Sequence, residues 1–246
     1  MKPIVIIPAR MASKRLPGKP LADIGGVPMI VRVWKQAVAA KIGPVVVACA
    51  EREICQAVES AGGRAVLTAP DLPSGSDRVF AALNAVDRGF EHDVVVNVQG
   101  DLPALDPAQL RVALDAMASA GGDIATLAAE IDSEADADNT NVTKVVAAWD
   151  VTAQRGRALY FTRARVPSGK GPLYAHVGLY VYTRDALTRF VGLQPSTLEK
   201  REKLEQLRAL EAGMSIMVGR VDSVPMSVDT PADLEKARAL LAREGW

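Results

Sequence analysis

Four cations crowd one short stretch of this sequence. In PARMASKRLPGKPL (Pro8–Leu21), Arg10, Lys14, Arg15 and Lys19 stand among Ser13, Gly18 and three prolines, directly after the first apolar run. A basic, backbone-rich loop after the first strand of an α/β sheet is suited to cradling phosphate. It is not a Walker loop, because Lys19 is followed by Pro20 rather than Ser or Thr and the upstream glycine is missing. On charge alone it reads equally well as a solvated turn, and Lys19 is expected to face solvent when no ligand is bound. Two aspartates each follow an apolar run: Asp101 after DVVVNVQG, and Asp229 after SIMVGRVDSVPMSV. Each has a plainer reading, Asp101 as a turn residue ahead of Pro103 and Asp229 as a helix cap. Both nonetheless fall on the edge where the phosphate loop is expected. A pair of carboxylates completed by phosphate oxygens is the habit of Mg²⁺. Ser74 or Ser76 in SGSDR (Ser74–Arg78) also precedes an apolar helix as a cap would.

Other chemistries lack their residues. Cys49 and Cys55 are six apart, and His92 and His176 are distant from them and from each other, so no zinc ligand set forms. Neither GxSxG nor GxGxxG occurs, which speaks against a nucleophile elbow and a dinucleotide dehydrogenase.

The elements that must position these residues follow from hydrophobic pattern. PIVIIP, PVVVAC and DVVVNVQG are continuous apolar runs, the mark of strands buried on both faces. Between them Pro28–Ala40, Arg52–Gly62 and Ser76–Asp87 carry apolar residues at helical spacing, with Met29, Trp34 and Phe80 expected in the core. The alternation predicts an α/β protein of three layers, a mostly parallel sheet with helices on both faces. Right-handed crossovers then bring the strand C-terminal ends to one edge, where ligands bind. IATLAAEI, TKVVAAW, RALYFTRARVP and YAHVGLYVY read as strands without long helices between them, joined by a polar connection at Ser133–Asn141 and a turn at Ser168–Pro172. A single domain over residues 1–246 is expected, with a small strand-rich lobe inserted at about 157–185. LEKREKLEQLRALEAG reads as helix, placing Glu202 and Glu205 on one face. SIMVGRV reads as a strand. Thr230-Pro231 opens the last helix, with Asp233 in its first turn.

Composition sets the class. With 246 residues, 29 Lys+Arg, 29 Asp+Glu and 49% hydrophobic residues, the chain can bury a core and is not disordered. A net charge of zero gives no electrostatic case for nucleic acid. The first apolar run is broken by Pro8 and Arg10, too short for a signal-peptide core or a membrane span. Two cysteines require no disulfide framework and suit a reducing compartment. A cytoplasmic protein without membrane insertion is expected.

The motifs together resemble the 3-deoxy-manno-octulosonate cytidylyltransferase (CMP-Kdo synthetase) family. PAR-xx-S-x-RLPGKPL resembles its signature loop. AVESAGG, SGSDR, VNVQGDLP, NVTKVV, ALYFTRARVP, HVGLYVY, LEQLR and VDTPADLE follow in the family's order across nearly the whole chain. The chain departs from that pattern at Leu102, Lys14, Cys49-Ala50 and a short Pro167–Tyr174 segment. The resemblance implies a Mg²⁺-dependent enzyme that moves CMP from CTP to the anomeric hydroxyl of Kdo, releasing pyrophosphate and giving CMP-Kdo for lipopolysaccharide assembly, and that acts as a homodimer. It implies that Pro8, Ala9, Arg10, Ser13, Arg15, Lys19, Ser74, Gly75 and Arg78 bind the nucleotide. Gln99, Arg163, His176, Tyr180, Glu205 and Gln206 would surround the sugar, and Asp101 and Asp229 would hold the metal. Lys19, Arg15 and the two aspartates would carry the reaction. Two alternatives stand beside this: a cytidylyltransferase for another acidic sugar, such as 8-amino-Kdo or a sialic-type acid, and a catalytically inert sugar-nucleotide-binding protein.

Overall fold

Long side chains cannot fill a sheet covered on both faces as tightly as Val and Ile do, and these residues dominate the strands that carry the fold. The computed structural model describes residues 1–13 and 15–243. Lys14, one of the four loop cations, lies outside the described residues. Contacts divide the chain into two units: Met1–Leu110 with the segment from Pro225, and Arg111–Val224.

In the first unit β1 (Pro3–Ala9) leads through the basic loop to a two-residue hairpin, β2 (Asp23–Ile24) and β3 (Val27–Pro28). Helix α1 (Met29–Ala39) and strand β4 (Val45–Cys49) follow, then α2 (Arg52–Ser60), β5 (Arg64–Leu67), α3 (Gly75–Val86) and β6 (Val94–Asn97). All pairings among β5, β4, β1 and β6 are parallel, with β1 between β4 and β6. The parallel arrangement expected from sequence holds here, and every residue of β4 and β6 is buried. The strand β5 was not expected. It is short and only partly buried at the edge, so it lacks the apolar run that marks its neighbours. Met29 is fully buried, whereas Trp34 and Phe80 are only half-buried.

Helix α4 (Pro107–Ala120) carries the chain onward to β7 (Ile124–Glu130), a short α5 (Glu134–Asp138), β8 (Lys144–Trp149), β9 (Arg155–Thr162) and β10 (Tyr174–Thr183). Then come α6 (Arg184–Val191), α7 (Thr197–Glu202), α8 (Gln206–Glu211), β11 (Ile216–Val221) and α9 (Pro231–Arg243). In the second unit only β7 and β11 run parallel. The order β10-β7-β11-β9-β8 is otherwise antiparallel, and one β8–β10 pair, Lys144 opposite Ala175, closes the strands into a ring. The sheet is therefore mixed. The strands expected at about 157–185 as an inserted lobe, β9 and β10, are integral members of this ring.

Two expectations of local structure change. The polar connection at Ser133–Asn141 contains α5, capped by Ser133, whose hydroxyl accepts the Asp136 N–H. The expected helix at 198–213 is two helices, broken at Lys203 in the left-handed conformation (φ 57°). The reason is burial: α7 buries no residue, while Leu204, Gln206 and Leu207 turn inward after the break. Glu202 and Glu205 consequently do not share one helix face. A bidentate Arg208–Glu199 pair at 2.6 and 2.8 Å spans the two helices.

Candidate active site

The C-terminal ends of β1 and β6 lie on one edge because both strands are parallel and in register, Pro3 opposite Val94 through Ile6 opposite Asn97. From β1 the basic loop emerges; from β6, Gln99, Gly100 and Asp101. The two backbones approach closely at this edge. A Cβ on Gly100 would lie 2.8 Å from the Pro8 carbonyl oxygen, so glycine is required there.

Gly18, in the left-handed region (φ 71°), starts a single 3-10 turn that presents Lys19. Apolar packing supplies the third participant. Val228, Leu234, Ala237 and Leu241 cluster with Ile24 and Met29, and Leu16 of the basic loop packs against them. The Val228 N–H donates to the Asp101 carbonyl at 2.9 Å. Residue 229 is thereby carried to residue 19 across more than two hundred positions of sequence.

Lys19 Nζ donates to Asp101 Oδ2 at 2.8 Å and to Asp229 Oδ1 at 3.0 Å, and Arg15 lies 3.2 Å from the other Asp229 oxygen. Burial opposes the charge on Lys19, but Asp101, and then Asp229, outweigh it and hold the ammonium above the ordinary lysine value. The expectation of a solvent-facing Lys19 is corrected: its side chain is 16% exposed, because the two carboxylates draw it inward. The reading of Asp229 as a helix cap is corrected too. Thr230 caps α9, its hydroxyl accepting the Asp233 N–H while Asp233 accepts the Thr230 N–H. The Asp229 side chain is left for Lys19 and Arg15.

An open cleft of about 610 Å³ is lined by Pro8, Ala9, Arg10, Ser13, Arg15, Lys19, Gln99 and Asp101. A second, of about 240 Å³, shares Pro8, Ala9, Arg10, Gln99 and Asp101 and adds Ser74, Gly75 and Arg78. The structure thus gathers every residue assigned to the nucleotide. Their states differ. Arg10 and Arg15 are exposed. Ser13 accepts the Leu16 N–H within the loop. Ser74 caps α3, accepting the Asp77 N–H. Arg78, 2% exposed, donates to Thr68 Oγ1 at 2.6 Å and to the Ala69 and Pro70 carbonyls, so it shapes the cavity wall. Gln99 donates to buried Asn97 at 3.4 Å.

In the second unit, His176 and Tyr180 lie on β10 with ring centroids 5.5 Å apart. Thr126 Oγ1 is 2.9 Å from His176 Nε2 and 3.0 and 2.8 Å from the Val177 and Leu179 carbonyls, where the β10 register shifts. One hydroxyl proton serves a carbonyl, so the oxygen accepts from the imidazole, which favours the Nε2–H tautomer. Burial pushes the His176 pKa down to about 3, leaving a neutral ring at neutral pH. Gln206 is 5% exposed, and its Nε2 is buried without a hydrogen-bond partner among the described residues. Such a donor costs free energy unless a ligand meets it. Glu205, half-buried, precedes it at the start of α8. Arg163 stands just beyond β9, where Thr162 Oγ1 accepts the Ala164 N–H and ends the strand earlier than its apolar run implied. Sequence pattern missed Thr126 and Lys144, which occupy ordinary strand positions; only their buried polar atoms set them apart.

A family model described as Cytidylyltransferase matches residues 4–216. The chain is 64% identical over 241 residues to the 3-deoxy-manno-octulosonate cytidylyltransferase of Parvibaculum lavamentivorans, covering 98% of this chain and 93% of that protein. It is 60% identical to the Rhodospirillum centenum protein of the same name, covering 97% and 93%. Among solved structures, a CMP:2-keto-3-deoxy-manno-octonic acid synthetase complexed with CTP aligns with a TM-score of 0.91 at 40% identity, over 99% of this chain and 100% of that one. A nucleotidyl transferase from Methanothermobacter thermautotroptrophicus, 18% identical with a TM-score of 0.64 over 99% of each chain, shares the fold. The chain belongs to the 3-deoxy-manno-octulosonate cytidylyltransferase family.

Proposed function

We propose that this protein transfers CMP from CTP to the anomeric hydroxyl of Kdo. The hydroxyl oxygen bonds to the α-phosphorus, the bond to the β-phosphate oxygen breaks, pyrophosphate leaves and the hydroxyl proton passes to solvent. The observation that carries the reading is the convergence of Lys19, Asp101 and Asp229 beside the basic loop, in a chain 64% identical to a relative of that name.

Arg10, Arg15 and Lys19 would take the triphosphate, with the Ser13 hydroxyl beside them. Pro8, Ala9, Ser74, Gly75 and Arg78 would line the cytidine cavity, and Gln99 would meet the base or sugar. Arg163 would meet the sugar carboxylate, and neutral His176, Tyr180, Glu205 and the orphaned Gln206 amide its hydroxyls. Positioning and fixed charge then supply most of the acceleration.

Asp101 and Asp229 fit a divalent cation. They already share one cation, the Lys19 ammonium, and hard carboxylate oxygens are the donors Mg²⁺ prefers. Among the described residues no three His, Cys, Asp or Glu side chains form a metal-binding group, so the remaining ligands would be substrate and water oxygens. Bound there, Mg²⁺ supplies charge neutralisation at the phosphates. Lys19, displaced from the aspartates, would turn to the triphosphate.

The reading extends to lipopolysaccharide assembly, a homodimer and the cytoplasm. The family resemblance supports the first two, and two unpaired cysteines support a reducing compartment. No helix among the described residues is long and apolar enough to cross a membrane.

The test is pyrophosphate release with CTP and Mg²⁺ across Kdo, 8-amino-Kdo and a sialic acid. Preference for Kdo supports the proposal. Preference for another acidic sugar replaces the substrate, and binding of CTP without release from any of them favours an inert binding protein.

A further inference from the structure

The second unit contains a lysine in an unusual setting. Lys144, at the β8–β10 pair that closes the ring, is 0% exposed. Its ammonium donates to two carbonyls, Asn139 O at 2.6 Å and Arg163 O at 3.4 Å, and among the described residues to no carboxylate. Burying an ammonium without a bonded counter-ion is costly. Burial pulls its pKa below the ordinary lysine value, against the pull of Asp138 and Asp136. A methionine of similar length would fill the space but leave both carbonyls without this donor.

The Arg163 carbonyl is one half of a clamp. The Arg163 N–H donates to Glu202 Oε2 at 3.0 Å, and the same carboxylate accepts the Thr162 hydroxyl at 2.8 Å and the Tyr160 hydroxyl at 3.4 Å. The residue is thus gripped at its N–H by an anion and at its C=O by a cation. Its guanidinium is oriented as firmly, with Nε donating to the Glu202 carbonyl at 3.0 Å and Nη1 to the Thr140 carbonyl at 3.1 Å. Both acceptors are neutral carbonyls. Three of the five guanidinium N–H bonds remain uncommitted. The Glu202 carboxylate, near enough to feel the arginine's charge, gives its oxygens to backbone and hydroxyl donors rather than to the guanidinium.

We infer that Lys144 and Glu202 are positioning residues for Arg163, fixing its backbone and aiming a guanidinium edge with uncommitted N–H donors at the carboxylate of the acidic sugar. This rests on the functional reading above and adds two residues to it. A guanidinium paired to an internal carboxylate would first have to surrender that partner. One held by carbonyls meets the ligand pre-oriented, with its charge intact.

The test is a comparison of KM for sugar and KM for CTP in Lys144→Met, Arg163→Ala and the double variant, with thermal melts. Loss of a charge-assisted hydrogen bond corresponds to roughly tenfold or more. Lys144→Met is therefore expected to raise the sugar KM about tenfold and leave the CTP KM within about twofold, in a protein whose thermal melt still shows a cooperative fold. The double variant is expected to match Arg163→Ala alone, because both changes remove one interaction. Effects that multiply in the double variant, or a CTP KM that rises equally, overturn the inference. If Lys144→Met does not fold, Glu202→Gln, which keeps one acceptor oxygen, is measured in the same cycle and must show the same selective, non-additive rise. A wild-type enzyme inactive with every acidic sugar overturns the functional reading itself. An active wild type with additive variants overturns only the positioning role.

Discussion

Two clusters, one in each unit, treat charge in opposite ways. In the first, Lys19, Asp101, Asp229 and Arg15 neutralise one another directly, at 2.8 to 3.2 Å. In the second, Lys144 and Arg163 are held by carbonyls, and Glu202 spends its carboxylate on N–H and O–H donors. A self-neutralised cluster stores no unspent charge, so a ligand must take it apart and each ion must exchange partners. A carbonyl-held cation pays its desolvation during folding and meets its ligand ready. The first arrangement suits a site that exchanges a metal and a triphosphate each turnover. The second suits recognition of one fixed anionic group.

The largest expected effect is at the self-neutralised cluster. Lys19→Ala is expected to lower turnover by about 10²–10³-fold, the usual cost of one preorganised electrostatic partner. It leaves two carboxylates facing each other, so stability should also fall, by on the order of 1–2 kcal/mol, between the values for exposed and buried pairs. Mg²⁺ alone should then raise the Tm more in the variant than in wild type, since no ammonium competes for the aspartates. An equal Tm shift in both would show that Lys19 does not occupy the cation's place.

Nucleotide choice is next in size. Cytosine offers an amino donor where uracil offers an acceptor. A cavity built for that donor leaves a buried group unpaired with UTP, so CTP is expected to outrun UTP by about a hundredfold or more in kcat/KM. Equal turnover would remove the cytidine assignment from the Ser74–Arg78 cavity.

The ion pairs set opposite ends of the pH range. Burial alone would raise the Glu199 and Glu202 carboxyls, but hydrogen bonds from Arg208 to the first and from the Arg163 N–H and Thr162 to the second hold both below 4.5. Their stabilisation is complete above that value and is lost as pH falls through the depressed folded pKa values. Lys19, held above 10.5, contributes fully below that pH and loses its contribution as pH rises through the folded value. Urea unfolding should therefore show a plateau through neutral pH, with acid loss reduced in Glu199→Gln and alkaline loss reduced in Lys19→Ala. The smallest effect is at the last helix: Thr230→Ala should cost about 1 kcal/mol of cap, whereas Asp229→Asn loses its pairing with Lys19 and Arg15 but leaves the cap itself in place.

What could be read in the sequence follows the same physics. The buried strands β1, β4 and β6 and the helices between them announce themselves, because burial on both faces demands unbroken Val and Ile and amphipathic crossovers, whereas the half-exposed edge strand β5 does not. The basic loop was legible from its four cations, Lys14 lying outside the described residues. The meeting of residue 19 with residue 229 was not derivable from local pattern. It depends on Leu234, Ala237 and Leu241 packing against Ile24 and Met29; the sequence placed Asp229 only on the same edge as the loop, by its position after an apolar run. The break at Lys203 was hidden because LEKREKLEQLRALEAG has helical propensity throughout, and tertiary burial of Leu204 overrides it. Glu202 stood in the sequence only as one of two acids on an expected helix face. Its three hydrogen bonds come from residues about forty positions away.

The most direct test is the initial rate of CMP-Kdo formation from CTP and Kdo as a function of Mg²⁺ concentration, for wild type, Asp101→Asn and Asp229→Asn. Each substitution keeps shape and removes charge. Wild-type activity should rise with Mg²⁺ from nothing in excess EDTA. Each variant should fall by on the order of 3 kcal/mol in transition-state stabilisation, more than a hundredfold in rate, with its fold intact by thermal melt. Wild-type rates in both variants, or full activity in excess EDTA, would contradict the account.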